Sequence, residues 1–351
     1  MMTVTLVTFG SYRLGAYRPD ADVDLLALCP PFCTREDFFT SLVTLMEDEP
    51  SICEIHPIAS AFTPVLKFTI NSINFDMLFG RVNGNSNIGK LLRYQQQQLS
   101  STSSVAKTTT MAPVADAAFL NTVNKADIDG TASHTTASVA GILNVDHDDT
   151  YGFPIDDSFL TGMDDYEIRS ANGVRVTQYI MDYVAHPDRF RIVLSAVKEW
   201  AMLNGIYSNV LGFFGGVNWA IMVAYVCKRY PSDVPTSLLK IFFQTFSTWS
   251  WPNPVLLESS LQENQQVTVP EGPTMVGGMK PWDPQTNPRD ARHVMPIITP
   301  VFPRSKFMVS SCLSLYFLLY IPRYIDMLHT CSMKSLMCLK ILPIIIFVFL
   351  Q

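Results

Sequence analysis

The chain has few of the features by which a sequence declares itself. Only 16% of its 351 residues are charged, and acids outnumber bases by 31 to 25, for a formal net charge of −6. A surface of that sign argues against binding polyanions through its whole area, so any grip on nucleic acid must come from a local cleft. The seven cysteines include no CxxC pair; Cys29 and Cys33 stand closest. That excludes the usual zinc-ribbon spacings and points to reduced thiols in a nuclear or cytosolic setting. The six histidines form neither an HExxH motif nor a triad pattern. The N-terminal apolar stretch has no basic flank, and Gly10-Ser11 follows at once, so it does not read as a signal peptide. Apolar residues, in contrast, make up 48% of the chain, enough for a globular protein of two domains.

The most informative segment is TFGSYRLGAYRPDADVDLLAL, which places Asp22 and Asp24 about a dozen residues after a glycine-serine turn. In a strand, residues i and i+2 share a face. Asp22 and Asp24 therefore aim together, while Val23 and Leu25 face a core. Adjacent carboxylates repel unless a cation lies between them, and hard oxygen donors suit Mg²⁺ or Mn²⁺. A third carboxylate, Asp76, interrupts the apolar run INFDMLF. An aspartate in a buried strand is costly unless paired or bound to metal, and no salt-bridge partner for it is evident in the sequence. If its strand lies beside that of Asp24, three aspartates converge on a site for two metal ions. Gly10 permits close backbone approach, and the Ser11 hydroxyl can bond a phosphate oxygen. These features together point to nucleotidyl transfer.

Longer motifs carry a closer resemblance. TFGSYRLGAYRPDADVDLLAL, REDFF, AFTPVLKFTINSINFDMLFGRV, DDSFLTGMDDYEIRSANGVRVTQYI, FRIVLSAVKEWAMLNGIYSNVLGFFGGVNWAIMVAYVCKRYP, WSWPNPVLL and WDPQTNPRDARHVMPIITPVFP follow one another in order over two thirds of the chain. In this set the chain resembles the eukaryotic poly(A) polymerases that tail messenger RNA. The resemblance implies template-independent addition of AMP from ATP to RNA 3′ ends, with two Mg²⁺ or Mn²⁺ ions. It implies metal binding and catalysis by Asp22, Asp24 and Asp76. It also implies ATP contacts from Phe9, Gly10, Ser11, Asn172, Lys198, Tyr207, Gly216 and Val217. Residue type alone leaves Lys198 equally readable as a solvated helix residue, Tyr207 as core, and Gly215-Gly216 as a plain helix-starting turn. Cleavage and polyadenylation factors are the partners the resemblance implies, and the nucleus the compartment.

The chain departs from the family pattern in four places. Only MMTVTLV precedes the first motif, where the family has helices. Met202 and Leu203 stand where the family has basic residues. Residues 83–150 are rich in Ser, Thr, Ala, Asn and Gln, including QQQQ and SSTSSVAKTTT, and read as a disordered insertion; a shorter loop insertion is expected between Glu258 and Pro281. After Pro303 the resemblance stops, and 304–351 reads as an apolar tail in place of an RNA-binding domain. Its apolar runs, 307–321 and 336–350, are at or below the length of a membrane span, and Pro322, Lys340 and Pro343 interrupt the region. The expectation is a chain truncated at both ends whose tail derives from a retained intron or a frameshift, with a tail anchor as the alternative. A related nucleotidyltransferase with another base or acceptor, or an inactive truncated product, stay open as alternative functions.

The fold class expected is α+β: a nucleotidyltransferase domain over 1–82 with a mixed sheet and helices, then a mostly helical central domain over 151–303. Strands are expected near Val4–Phe9, Val23–Leu28, Val65–Ile70 and Ile73–Leu78. Helices are expected at Asp37–Met46, Arg189–Leu203, Val217–Tyr230 and Thr236–Thr248. The nucleotide is expected between the two domains.

Overall fold

Alternating apolar residues and two short turns build a mixed sheet around the acidic segment. In a computed structural model, residues 4–84, 87–94, 153, 155–257, 282–301 and 306–309 are described. The expected second insertion and nearly all of the apolar tail lie outside them. The strands are β1 (Thr5–Phe9), β2 (Val23–Cys29), β3 (Ile52–Ile58), β4 (Val65–Ile70) and β5 (Ile73–Arg81), in spatial order β1-β2-β5-β4-β3. The pair β2–β5 is parallel and the other neighbours are antiparallel. Asn71 and Ser72 both have positive φ, 50° and 66°, so β4 and β5 form a hairpin on a two-residue turn of the type that matches strand twist. Val23 and Leu25 enter the core with Phe75, Met77 and Phe79, as their alternation requires.

Helices α2 (Arg35–Phe39) and α3 (Ser41–Glu47) cover that face with Phe38, Phe39, Val43 and Met46. The single helix expected over Asp37–Met46 is thus two. Thr40 leaves helical geometry (φ −125°, ψ −72°), and its hydroxyl caps the first helix by donating to the Glu36 carbonyl at 2.7 Å. The edge strand β3 was not among the sequence expectations; its side chains are mostly exposed, so it lacks the apolar pattern that marks a buried strand.

The first stretch of the expected disordered insertion is ordered. Residues 87–94 are helical. Leu91 is fully buried, the Asn87 amide donates to the Ser158 carbonyl at 3.2 Å, and Lys90 pairs with Asp156 at 2.7 Å. The apolar spacing Ile88-Leu91-Leu92 supplies the burial that the polar tract beyond it lacks. The described chain divides into two compact units. The first holds residues through Arg13 and from Arg18 to Arg175; the second holds Leu14–Tyr17 and the residues from Val176 onward. The division falls within helix α4 (Asp165–Tyr183), not at residues 82 and 150. Asp164 starts α4 by accepting from the Tyr166 and Glu167 amides, each at 2.8 Å, and Glu167 accepts in return from the Asp164 amide at 2.9 Å.

The second unit is built on α5 (Pro187–Leu203), α6 (Gly216–Arg229) and α7 (Pro235–Ser247). Trp200 and Trp219 meet edge to face at 6.1 Å, and Phe243 packs on Trp200 at 4.8 Å. The Trp219 indole donates to the Phe214 carbonyl at 3.1 Å, so this large ring is buried without an unmet polar atom. Trp219→Ala is expected to destabilise the protein by about 3–5 kcal/mol. Urea denaturation followed by far-UV dichroism reads this, and a loss below about 1 kcal/mol would contradict the packing described. Strand β6 (Met295–Ile298) pairs with β7 (Lys306–Val309), so ordered pairing continues past the boundary expected at residue 303. No helix among the described residues is long and apolar enough to cross a membrane.

Cys29 ends β2 and Cys33 follows a turn closed by the Cys33 amide on the Pro30 carbonyl, at 3.1 Å. Both thiols are free, and side-chain hydrogen bonding with Cys29 lowers the Cys33 pKa to about 7, against the opposing push of partial burial and Asp37. The same bond and burial hold Cys29 well above its ordinary value, and burial pushes Cys227 up to about 12. The thiolate is the nucleophile, so Cys33 alkylation should rise through pH 7 and level off above it. Iodoacetamide at pH 7.5, read peptide by peptide by mass spectrometry, is expected to label Cys33 well ahead of Cys29 and Cys227. Equal labelling of the three would contradict the Cys29–Cys33 hydrogen bond.

Candidate active site

Register brings the acidic residues together. In the parallel pair β2–β5, Asp24 and Asp76 are direct partners, Val23 opposite Phe75 and Leu25 opposite Met77. The third-strand condition set by the sequence is met. Asp22 immediately precedes β2, two residues before Asp24 and on its face.

One feature corrects the sequence reading. Asp76 has a partner: Lys67 on β4, directly opposite it across the hairpin. The Lys67 ammonium lies 2.8 and 2.5 Å from the two Asp76 oxygens and 3.9 Å from Asp22. A cation therefore already sits among the carboxylates, which is how their mutual repulsion is relieved. Among the described residues no three acidic, histidine or cysteine side chains stand together as a ready-made metal cage. The donor set nevertheless has the chemistry a hard divalent ion takes, oxygen ligands on adjacent strands, with an ammonium standing at the position of positive charge.

The glycine-serine turn closes the site from β1. Phe9 ends β1 opposite Asp24, and Gly10–Arg13 forms one helical turn, α1. Gly10 has φ +63°, and a Cβ there would lie 3.0 Å from Asp24 Cγ and closer still to Oδ2. Only glycine fits both the backbone and the carboxylate. The Phe9 ring in turn lies against the backbone of Gly173, where a Cβ would be 2.6 Å from Phe9 Cε2. Phe9 and the Asn172-Gly173 stretch of α4 are thus neighbours within the first unit. Asn172 is buried, and its Oδ1 accepts from Arg175 Nη1 at 2.8 Å. Arg175 was not singled out in the sequence.

The remaining candidates belong to the second unit. Lys198 on α5 is buried, not solvated, and its ammonium donates to the Ala16 carbonyl at 2.7 Å. Tyr207 is half-buried, and its hydroxyl is 3.0 Å from where a Cβ on Gly216 would lie. Gly216 and Val217 open α6, whose preceding turn is held by the Gly215 amide donating to Asn218 Oδ1 at 3.0 Å. Tyr207, Gly216 and Val217 form one local group.

Two family models match the chain in order. Residues 2–99 match the poly(A) polymerase nucleotidyltransferase domain, and residues 189–318 the poly(A) polymerase central domain. The chain belongs to the poly(A) polymerase family. Arabidopsis thaliana nuclear poly(A) polymerase 1 is 32% identical over 299 residues, which are 85% of this chain and 32% of that protein. Nuclear poly(A) polymerase 4 of the same plant is 33% identical, over 85% of this chain and 30% of its own length. The chain spans about a third of the length of these curated relatives. Among solved structures, mtPAP in complex with ATPγS aligns with a TM-score of 0.53 at 11% identity, covering 96% of this chain and 62% of that one. Cid1 in complex with its short product ApU aligns with a TM-score of 0.51 at 12% identity, covering 94% and 83%. These two likenesses give the fold, a nucleotidyltransferase sheet followed by helices. The family match runs to residue 318, past Pro303, in keeping with the β6–β7 pairing.

Proposed function

We propose that the chain is a polynucleotide adenylyltransferase that adds AMP from ATP to RNA 3′ ends without a template. The observation that carries this reading is the in-register pair Asp24–Asp76 beside the Gly10 turn, in a chain of this family. Asp22, Asp24 and Asp76 would hold two divalent ions, Mg²⁺ or Mn²⁺. When bound, such ions assist deprotonation of an attacking hydroxyl and neutralise the charge of departing pyrophosphate.

The chain's own residues orient and hold. Asp24 and Asp76 fix the donor oxygens on two adjacent strands, which leaves little to reorganise during reaction. With a divalent ion bound, Asp76 would turn from Lys67 to the ion, and the half-exposed Lys67 side chain can re-solvate. The Ser11 hydroxyl donates to a phosphate oxygen, and Gly10 lets the backbone approach it. Lys198 contributes positive charge toward the triphosphate, Tyr207 a stacking face and a hydroxyl, and Gly216-Val217 a close backbone surface. Phe9 and Asn172 complete the ATP contacts. The acceptor 3′-hydroxyl attacks the α-phosphate, and pyrophosphate leaves. Cleavage and polyadenylation factors are the partners this reading expects; the nucleus is the compartment it expects, and the names of the Arabidopsis relatives carry the word nuclear.

Base choice tests the reading. With a labelled RNA primer and the four nucleoside triphosphates supplied separately, ATP is expected to be used at least tenfold better than the others. A preference for UTP would make the chain a related nucleotidyltransferase of different base choice.

A further inference from the structure

Asn172 owes its orientation to a neighbour on its own helix, Arg175. An asparagine amide can present either its oxygen or its NH₂ group to a ligand, and the two ends differ little in shape. Here one end is fixed. Arg175, three residues on along α4, gives Nη1 to Asn172 Oδ1 at 2.8 Å. A guanidinium only donates, so the oxygen must face it and the NH₂ group must face away. Arg175 is itself held from two further sides. Its Nε donates to the Ile155 carbonyl at 3.2 Å, and its Nη2 pairs with Asp157. The arginine side chain is 4% exposed while that of Asp157 is 73% exposed, so the arginine is the fixed member and Asp157 reaches in from the surface. A planar fork engaged on three atoms has no freedom to release the amide. Gly173, between the two residues, carries the Phe9 ring on its backbone, which holds this turn of α4 against β1.

We propose that Arg175 is a positioning residue that locks Asn172 as a hydrogen-bond donor toward the nucleotide, selecting an acceptor atom there. This rests on the reading of Asn172 as an ATP contact. Arg175 need not touch ATP; it acts by fixing which end of the amide the ligand meets. The segment that holds Arg175, residues 155–157, thereby helps to set the ATP site.

The test uses the full chain and reads ATP affinity by calorimetry with Mg²⁺ and no primer, beside the KM for ATP in primer extension. Asn172→Ala and Arg175→Met are each expected to weaken ATP by about tenfold or more, with kcat within about threefold of wild type. In the double variant the loss should stay within about twofold of the larger single loss, because Arg175 acts through Asn172. Losses that multiply, or an Arg175→Met variant that binds ATP like wild type, overturn the proposal. Arg175→Met removes the buried donor to the Ile155 carbonyl and to Asn172 and stands to loosen the fold, so Asn172→Asp is the second arm. It keeps the contact with Arg175, now as an ion pair, but offers the nucleotide an acceptor in place of a donor. Its melting temperature should equal or exceed that of wild type while ATP binding drops at least tenfold. Wild-type ATP affinity in Asn172→Asp overturns the proposal. A wild-type chain that binds ATP with the expected cycle but extends no primer would fault the polymerase reading and leave this inference intact.

Discussion

Asp24→Ala and Asp76→Ala are each expected to cut primer extension by about a thousandfold or more, since under the proposed metal assignment each removes a ligand and with it several kcal/mol of charge stabilisation at the reacting phosphate. Stability should change little. Asp76 pairs with Lys67, whose side chain is 40% exposed, so the ammonium left behind by Asp76→Ala turns to water. A pair this open is worth about 1 kcal/mol or less. Removing Asp24 also relieves repulsion between neighbouring carboxylates, which offsets part of any lost contact. Activity by quenched-flow extension and stability by thermal melting separate the two effects. A variant that keeps near wild-type extension would rule out the metal assignment, and one that fails to fold would show that the carboxylates serve the sheet.

The second large effect is expected at Gly10. Gly10→Ala must place a methyl group against the Asp24 carboxylate, at a φ of +63° that L-residues adopt at a cost of about 1–2 kcal/mol. The strain is modest for the whole protein, but the steric conflict falls on the Asp24 carboxylate, the oxygen donor of the proposed metal site. The carboxylate must swing or the α1 turn must shift, and either move misplaces the metal ligand. Activity is therefore expected to fall about a hundredfold or more, while the melting temperature drops by only a few degrees. An enzyme with nearly full activity would mean that the turn moves freely and that Gly10 is not a constraint on Asp24. Together with the carboxylate variants, Gly10→Ala distinguishes loss of a ligand from displacement of one.

The shared face of the three aspartates could be read from the sequence because strand alternation is a strict rule. Once Val23 and Leu25 are core, Asp22 and Asp24 have one face left. Asp76 in INFDMLF likewise had to leave the core side of its strand. Lys67 was missed although a signal existed: a two-residue turn at 71–72 sets the hairpin register, and counting outward pairs residue 67 with residue 76. Arg175 was missed although Asn172 stands three residues before it on one helix, because its other partners, Ile155 and Asp157, come from the far end of a long polar stretch. The break at Thr40 lies in its backbone angles, and helical periodicity runs through it unchanged. The helix at 87–94 was masked by the polar composition around it; its few apolar residues become informative only once Phe153 and residues 155–160 are known to pack beside it. The burial of Lys198 was equally beyond residue type, since the acceptor it meets is the main chain of Ala16, 182 residues away in sequence.

The central claim is that the Asp24–Asp76 sheet is a working adenylyl-transfer centre. Extension of a labelled oligo(A) primer by the purified full chain, with ATP and Mn²⁺ beside the Asp24→Ala variant, tests it most directly. The full chain is used because a cut at residue 303 would remove β7 from its pairing with β6. The account predicts a ladder of added nucleotides with the wild type and none with the variant. A folded wild-type chain that extends nothing, or a variant that extends equally, would contradict it.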